Sequence, residues 1–99
     1  MGRVLYLASF HVRDTHREVF LEAARTKLKP WWEAHGAETF EVYQEVGPTG
    51  PTGRLTQAWT FPDRDAYLRM RSSSDAGAPT DVYRFLSEPE FRVLELLVP

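Results

Sequence analysis

Two stretches of this chain alternate in a way that leaves no wholly polar face. Across Val4 to Val12, one side carries Val4, Tyr6, Ala8, Phe10 and Val12, and the other Leu5, Leu7, Ser9 and His11. Across Phe91 to Val98 the sides are Phe91, Val93, Glu95 and Leu97 against Arg92, Leu94, Leu96 and Val98. Side chains of a strand point alternately to opposite faces, so such strands call for cover on both. A chain of 99 residues buries only roughly 60 to 70% of its unfolded surface. It has helix enough for one layer, and a second copy of the chain is expected to supply the other.

The remaining composition narrows the class. With 42% hydrophobic and 26% charged residues the chain reads as one ordinary globular domain spanning residues 1–99. Twelve basic and fourteen acidic residues leave a formal charge of -2, which provides no electrostatic footprint for nucleic acid. The absence of cysteine excludes disulfides, iron–sulfur clusters and thiolate zinc sites. Met1-Gly2-Arg3-Val4 leads directly into the first strand, with no cleavable signal and no apolar run near membrane-spanning length. A cytoplasmic location with no membrane partner is therefore expected.

Punctuation along the chain then sets the element order. Arg3 to Val12 is a strand, and Thr15 with Glu18 has capping-box spacing for a helix opening at Asp14 or Thr15. Val19, Phe20, Ala23, Ala24 and Leu28 form its apolar stripe, Pro30 is expected to kink or end it, and His35-Gly36 is a stop. A second strand runs from Glu38 to Val46. Gly47 to Gly53, with three glycines and two prolines, reads as a hairpin loop before a third strand from Arg54 to Phe61. Pro62-Asp63 opens a short helix through Arg71, with Ala66, Tyr67 and Met70 facing inward. Ser72 to Pro79 is small and flexible in composition. Thr80 can cap a helical stretch containing Val82, Phe85 and Leu86, which Pro89 ends before a last strand to the C-terminus.

Strand, helix, strand, strand, helix, strand is the ferredoxin-like βαββαβ order, an α+β fold. Right-handed crossovers put both helical segments on one face of its antiparallel sheet. The other face stays bare, and an apolar area of several hundred Å² is one that monomers seldom expose.

The second half of the chain carries a resemblance. Gly53-Arg54-Leu55-Thr56-Gln57-Ala58-Trp59-Thr60-Phe61, an acidic helix start, an arginine at Arg69 or Arg71, Tyr83-Arg84-Phe85-Leu86 and the closing Leu94-Glu95-Leu96-Leu97-Val98-Pro99 resemble the dimeric α+β barrel proteins, most closely the NIPSNAP-like families. The resemblance implies a homodimer that closes as an α+β barrel. NIPSNAP-like first strands commonly carry an arginine followed two residues later by a tyrosine, where this chain has Ala8 and Phe10. The antibiotic-biosynthesis monooxygenases are a more distant resemblance. Their haem-degrading relatives use a strand-one asparagine, a strand-three tryptophan and a histidine after the second helix. Trp59 looks like that tryptophan and Ser9 falls near the asparagine, but Ser72 to Pro79 has no histidine, so haem ligation does not carry over.

The residues suited to chemistry are few. His11, His16 and His35 lack metal-site spacing, and a lone histidine is ordinarily structural or solvated. His11 has the best case because it shares a strand face with Ser9. Trp59, with Phe61 two residues on, suits a pocket wall, although core packing is the plainer account. Gln57 stands on an otherwise apolar strand face, where a buried amide must find a partner in a neighbouring chain or a wet cavity. Trp31-Trp32 is read as one core residue and one at the helix end or dimer seam. Asp63, Asp65 and Asp75 form no acid–base pair and read as helix-start or loop carboxylates. Gly47 to Gly53 has no phosphate-cradling ending.

Ser9, His11, Gln57, Trp59 and Tyr67 are thus the candidate ligand-binding residues. They suggest a homodimer binding a small hydrophobic or aromatic molecule in a cleft between sheet and helices, with no metal or organic cofactor. The alternatives are a cofactor-independent monooxygenase or isomerase acting on an aromatic substrate, and a non-catalytic assembly module. Polar groups converging on Trp59 from Ser9 and His11 would favour an enzyme.

Overall fold

The middle of the sheet is the first strand, β1 (Val4–Val12), whose β-branched and aromatic residues suit a pleated position between two neighbours. A computed structural model describes residues 2–72 and 79–99. After β1 come α1 (Asp14–Ala23), a π-helical turn (Ala24–Leu28) and α2 (Lys29–Ala34). The hairpin strands β2 (Thr39–Gly47) and β3 (Gly50–Phe61) follow, then α3 (Arg64–Ser72), a 3-10 turn (Thr80–Phe85) and β4 (Leu86–Glu95). The four strands lie in the order β2-β3-β1-β4, every neighbour antiparallel. This is the ferredoxin-like α+β fold, with the helices on one face of the sheet.

Register decides which side chains meet those helices. Val4 pairs with Phe61, Tyr6 with Trp59, Ala8 with Gln57 and Phe10 with Leu55, so these eight share the covered face. Phe40 of β2, opposite Trp59, joins them. From the helical side come Phe20, Ala24, Leu28 and Trp32, one stripe running through α1, the π turn and α2. Phe10, Phe20, Phe40, Phe61, Leu28 and Leu55 are almost wholly buried, each contributing roughly 1.5 to 3 kcal/mol by leaving water.

Several local expectations give way to tertiary structure. The capping box of Thr15 and Glu18 does not form. Because β1 pairs as far as Val12 with Leu86, only Arg13 separates strand from helix; it takes the N-cap position without a side-chain bond, and its carbonyl accepts from His16 N–H. Val19, assigned to the apolar stripe, is 54% exposed.

Pro30 does not end the helix. The Lys29 N–H bonds to the Ala24 carbonyl five residues back, and the widened turn makes room for a ring that has no N–H to give. The helix runs on to Ala34 and stops at Gly36, whose φ of 121° suits glycine.

The stretch Gly47 to Gly53 is mostly strand rather than loop. Gly47 pairs with Gly50 and Val46 with Pro51, leaving Pro48-Thr49 as the turn. Pro51 is tolerated because β1 pairs with β3 only as far as Arg54, so beyond that point β3 has a single partner.

Thr80 is the first residue of a 3-10 turn, and the cap position, Pro79, has no side-chain bond to it. Leu86 belongs to β4 rather than to the helical set. Pro89 lies inside β4, beside a register shift and Glu88 at φ 53°, where the Arg54 guanidinium donates to the Glu88 carbonyl at 2.9 Å. The strand ends at Glu95 instead of running to the C-terminus. Residues 73–78, which contain Asp75 and most of the small-residue segment, lie outside the described residues. No helix among the described residues is long and apolar enough to cross a membrane.

One ion pair closes the outer edge of β2. Lys29 Nζ and Glu33 Oε2 lie 2.6 Å apart on α2; the lysine donates to the Phe40 carbonyl at 3.0 Å, and the glutamate accepts from the Phe40 N–H at 3.0 Å. The Lys29 bond, followed by the Phe40 N–H, holds the Glu33 carboxyl below the usual carboxylate range. A carboxyl depressed in the folded state stabilises above its unfolded pKa, and that contribution is lost as pH falls through the folded value. Thermal unfolding followed by circular dichroism should therefore place Glu33→Gln modestly below the wild type at neutral pH, with the gap closing as the solution is acidified below the ordinary carboxylate range. An equal gap across that range would show that the charge on Glu33 contributes nothing.

Candidate functional site

Ala8 is the smallest side chain in the middle of the covered face, flanked across the sheet by Gln57 of β3 and Phe91 of β4. The space above it forms a cavity of about 400 Å³ between the sheet and the α2, α3 and 3-10 segments. Tyr6, Phe10 and Trp59 line its floor, with Trp32, Met70 and Tyr83 from the helical side. A volume near this size, mainly apolar with a few polar groups, suits a small organic molecule.

Trp59 is the best-fixed wall. It is 4% exposed, stacks on Tyr6 at 4.9 Å, and meets Trp32 and Phe40 edge-on at 5.6 and 5.3 Å. The indole N–H groups of Trp59 and Trp32 are buried and have no acceptor among the described residues. A buried donor without an acceptor costs about 1 to 3 kcal/mol. Gln57, 1% exposed, is the polar side chain buried in this aromatic face, and the Tyr83 hydroxyl donates to its Oε1 at 3.3 Å.

The other candidates divide between the two sides of the sheet. Tyr67 of α3 packs against Phe61 at 5.7 Å and Tyr6 at 5.9 Å, and lines a shallower depression beside the cavity. Ser9 and His11 lie across the sheet from Trp59. Ser9 Oγ and Thr56 Oγ1 are 2.8 Å apart, and His11 sits opposite Arg54. On that same open face the Tyr43 hydroxyl donates to Glu41 at 2.7 Å, a bond that raises the phenol above its usual range. The structure therefore brings Gln57 and Trp59 together at the cavity, puts Tyr67 next to it, and separates Ser9 and His11 from it. Trp32 is the core member of its tandem pair, while Trp31 stacks on His35 at 4.0 Å.

Sequence reasoning missed Tyr6, Tyr83 and Arg71 as wall residues. Tyr6 was within reach, since period two puts it on the same face as Ala8 and Phe10. Tyr83 and Arg71 depend on where the second crossover lies, which no local pattern reports. No group of histidines and carboxylates among the described residues is arranged to hold a metal ion.

No family model and no curated protein sequence matches the chain. Solved structures do match in fold. An antibiotic-biosynthesis-monooxygenase-like protein of Nitrosomonas europaea superposes with a TM-score of 0.72 at 16% identity, covering 100% of this chain and 95% of its own. A NIPSNAP family protein of Agrobacterium tumefaciens gives 0.69 at 13% identity, over 97% and 87% of the two chains. A dabb family protein with a ferredoxin-like fold from Mesorhizobium loti gives 0.71 at 17% identity, over 99% and 100%. The chain is thus similar in structure to NIPSNAP, monooxygenase-like and dabb proteins, including the group its second half resembles.

The division between faces has a direct consequence for stability. Trp59→Ala should cost about 3 to 5 kcal/mol, on the scale of buried aromatic truncations. His11→Ala should cost less than about 1 kcal/mol, as a partly exposed side chain on the open face. Urea unfolding monitored by fluorescence and circular dichroism measures both, and equal losses would contradict the assignment of these residues to different environments.

Proposed function

We propose that this protein is a homodimer that binds a small hydrophobic or aromatic molecule in the cavity between sheet and helices. The observation that carries the binding reading is Gln57, a buried amide in an aromatic wall, at the edge of a cavity of about 400 Å³. A residue kept only for packing there would be apolar, whereas an amide fixes the orientation of a guest. Aromatic walls favour a planar ligand, and the indole donors of Trp32 and Trp59, which have no acceptor among the described residues, favour one with an acceptor oxygen. Ser9 and His11, whose convergence on Trp59 would have argued for catalysis, lie on the opposite face. Binding is accordingly the reading put forward, ahead of a monooxygenase or isomerase. The cavity also favours it over a purely structural assembly module.

The dimer reading rests on the uncovered side of the sheet. Leu5, Leu7, Ala58 and Leu94 form an apolar strip there, bordered by Ser9, Thr56, Thr60 and Arg92. Beyond β4, Leu97 and Val98 are 86% and 83% exposed. Covering such a surface removes apolar area from water at roughly 25 cal/mol per Å².

Light scattering at micromolar concentration should report about twice the 11.4 kDa chain mass. Ala58→Asp should dissociate or unfold the dimer, because a buried unpaired charge is strongly unfavourable. A well-folded monomer of the wild-type chain would overturn the dimer. For the ligand, thermal shift against a panel of quinones, phenols and fatty acids should give hits with the wild type. Those hits should be lost in Ala8→Leu, which fills the cavity floor, and weakened in Trp59→Phe. Hits that survive Ala8→Leu unchanged would put the binding elsewhere, and an empty panel with both proteins stable would leave the assembly module as the better account.

A further inference from the structure

Arg71 stands where the aromatic cavity meets the shallower depression next to it, and it lines both. Its guanidinium carbon lies 5.8 Å from the centre of the Tyr6 ring, the ring that stacks on Trp59. Arg3, Arg25, Arg54 and Arg64 each pair with a glutamate, but no carboxylate of a described residue pairs with Arg71. Nor does any carboxylate of a described residue line the cavity or the depression. The rim of an apolar cavity therefore carries a positive charge with no counter-charge among the described residues of its walls. Beside apolar walls that charge is less screened than in open water.

A helix end offers an ordinary reason for an arginine at this position, since Arg69 and Arg71 both fall in the last turn of α3. That reason applies equally to the two residues. Only Arg71 borders the cavity. A planar guanidinium held over an aromatic ring keeps its outer N–H groups free to meet a carboxylate in two parallel bonds.

We infer that the cavity's ligand is an aromatic carboxylic acid, its ring against Tyr6 and Trp59 and its carboxylate on Arg71. The inference rests on the cavity reading and narrows it to an anionic ligand class. Isothermal titration of the full chain with naphthalene-2-carboxylate and with its neutral amide separates the two levels. The wild type should bind the acid about tenfold or more tightly than the amide, the scale of one charge-assisted hydrogen bond. Arg71→Met should remove that preference while leaving the amide's affinity unchanged, and Arg69→Gln should alter neither. Higher salt should weaken the acid alone.

Equal binding of acid and amide by the wild type, unaffected by Arg71→Met, would overturn the ligand class and leave the cavity standing. A preference for the acid that persists in Arg71→Met would overturn the assignment to Arg71. Failure of both probes, with Ala8→Leu indistinguishable from the wild type, would overturn the cavity reading and the ligand class with it.

Discussion

Everything on the covered side of the sheet is organised around the contacts of one indole. Trp59 meets Tyr6 of β1, Phe40 of β2 and Trp32 of α2, so two neighbouring strands and a helix are joined through a single ring. Aromatic pairs of this kind add about 0.5 to 1.5 kcal/mol each beyond the area they bury, against a total stability of about 5 to 15 kcal/mol for an ordinary domain. The same ring forms a wall of the cavity. Packing and site therefore share their parts: the forces that hold the sheet to the helices also fix the surface a guest would meet, so little ordering remains to oppose binding.

The architecture was legible because it follows from periodicity. Alternation in β1 and β3, the stripe of Phe20, Ala24 and Leu28, and the order of elements lead to the ferredoxin-like sheet that the structure has. Local signals failed where neighbours overruled them. Pro30 reads as a kink or an end, and the helix passes it after a π turn; Gly47 to Gly53 reads as a loop until the two-stranded ribbon claims most of it. Thr15 lost its capping role because β1 pairs through Val12 and the helix starts directly after it, which puts the N-cap at Arg13.

The site was legible in part, for a related reason. Gln57 and Trp59 stand out within one strand, as an amide and a large ring on a buried face. Ser9 and His11 could be set on the correct side only by knowing that Ala8 pairs with Gln57 and Ser9 with Thr56. Register is a property of two strands together. Arg71 is harder still, since its place follows from how α3 lies over the sheet. The fold relatives do not shorten this step: at 13 to 17% identity they share a scaffold, and chemistry belongs to the side chains placed on it.

The clamp of Lys29 and Glu33 on Phe40 bears on how far a sheet of this kind can propagate. A bare strand edge is a template for another strand, and a sheet with two bare edges can add copies indefinitely. Here the outward N–H and C=O of Phe40 are already taken by an ammonium and a carboxylate, and any strand arriving at that end of β2 would have to displace two charged groups. The opposite edge, β4, carries no such clamp among the described residues. Edge pairing at that end of β2 is therefore obstructed by the same helical ion pair that ties α2 to the sheet.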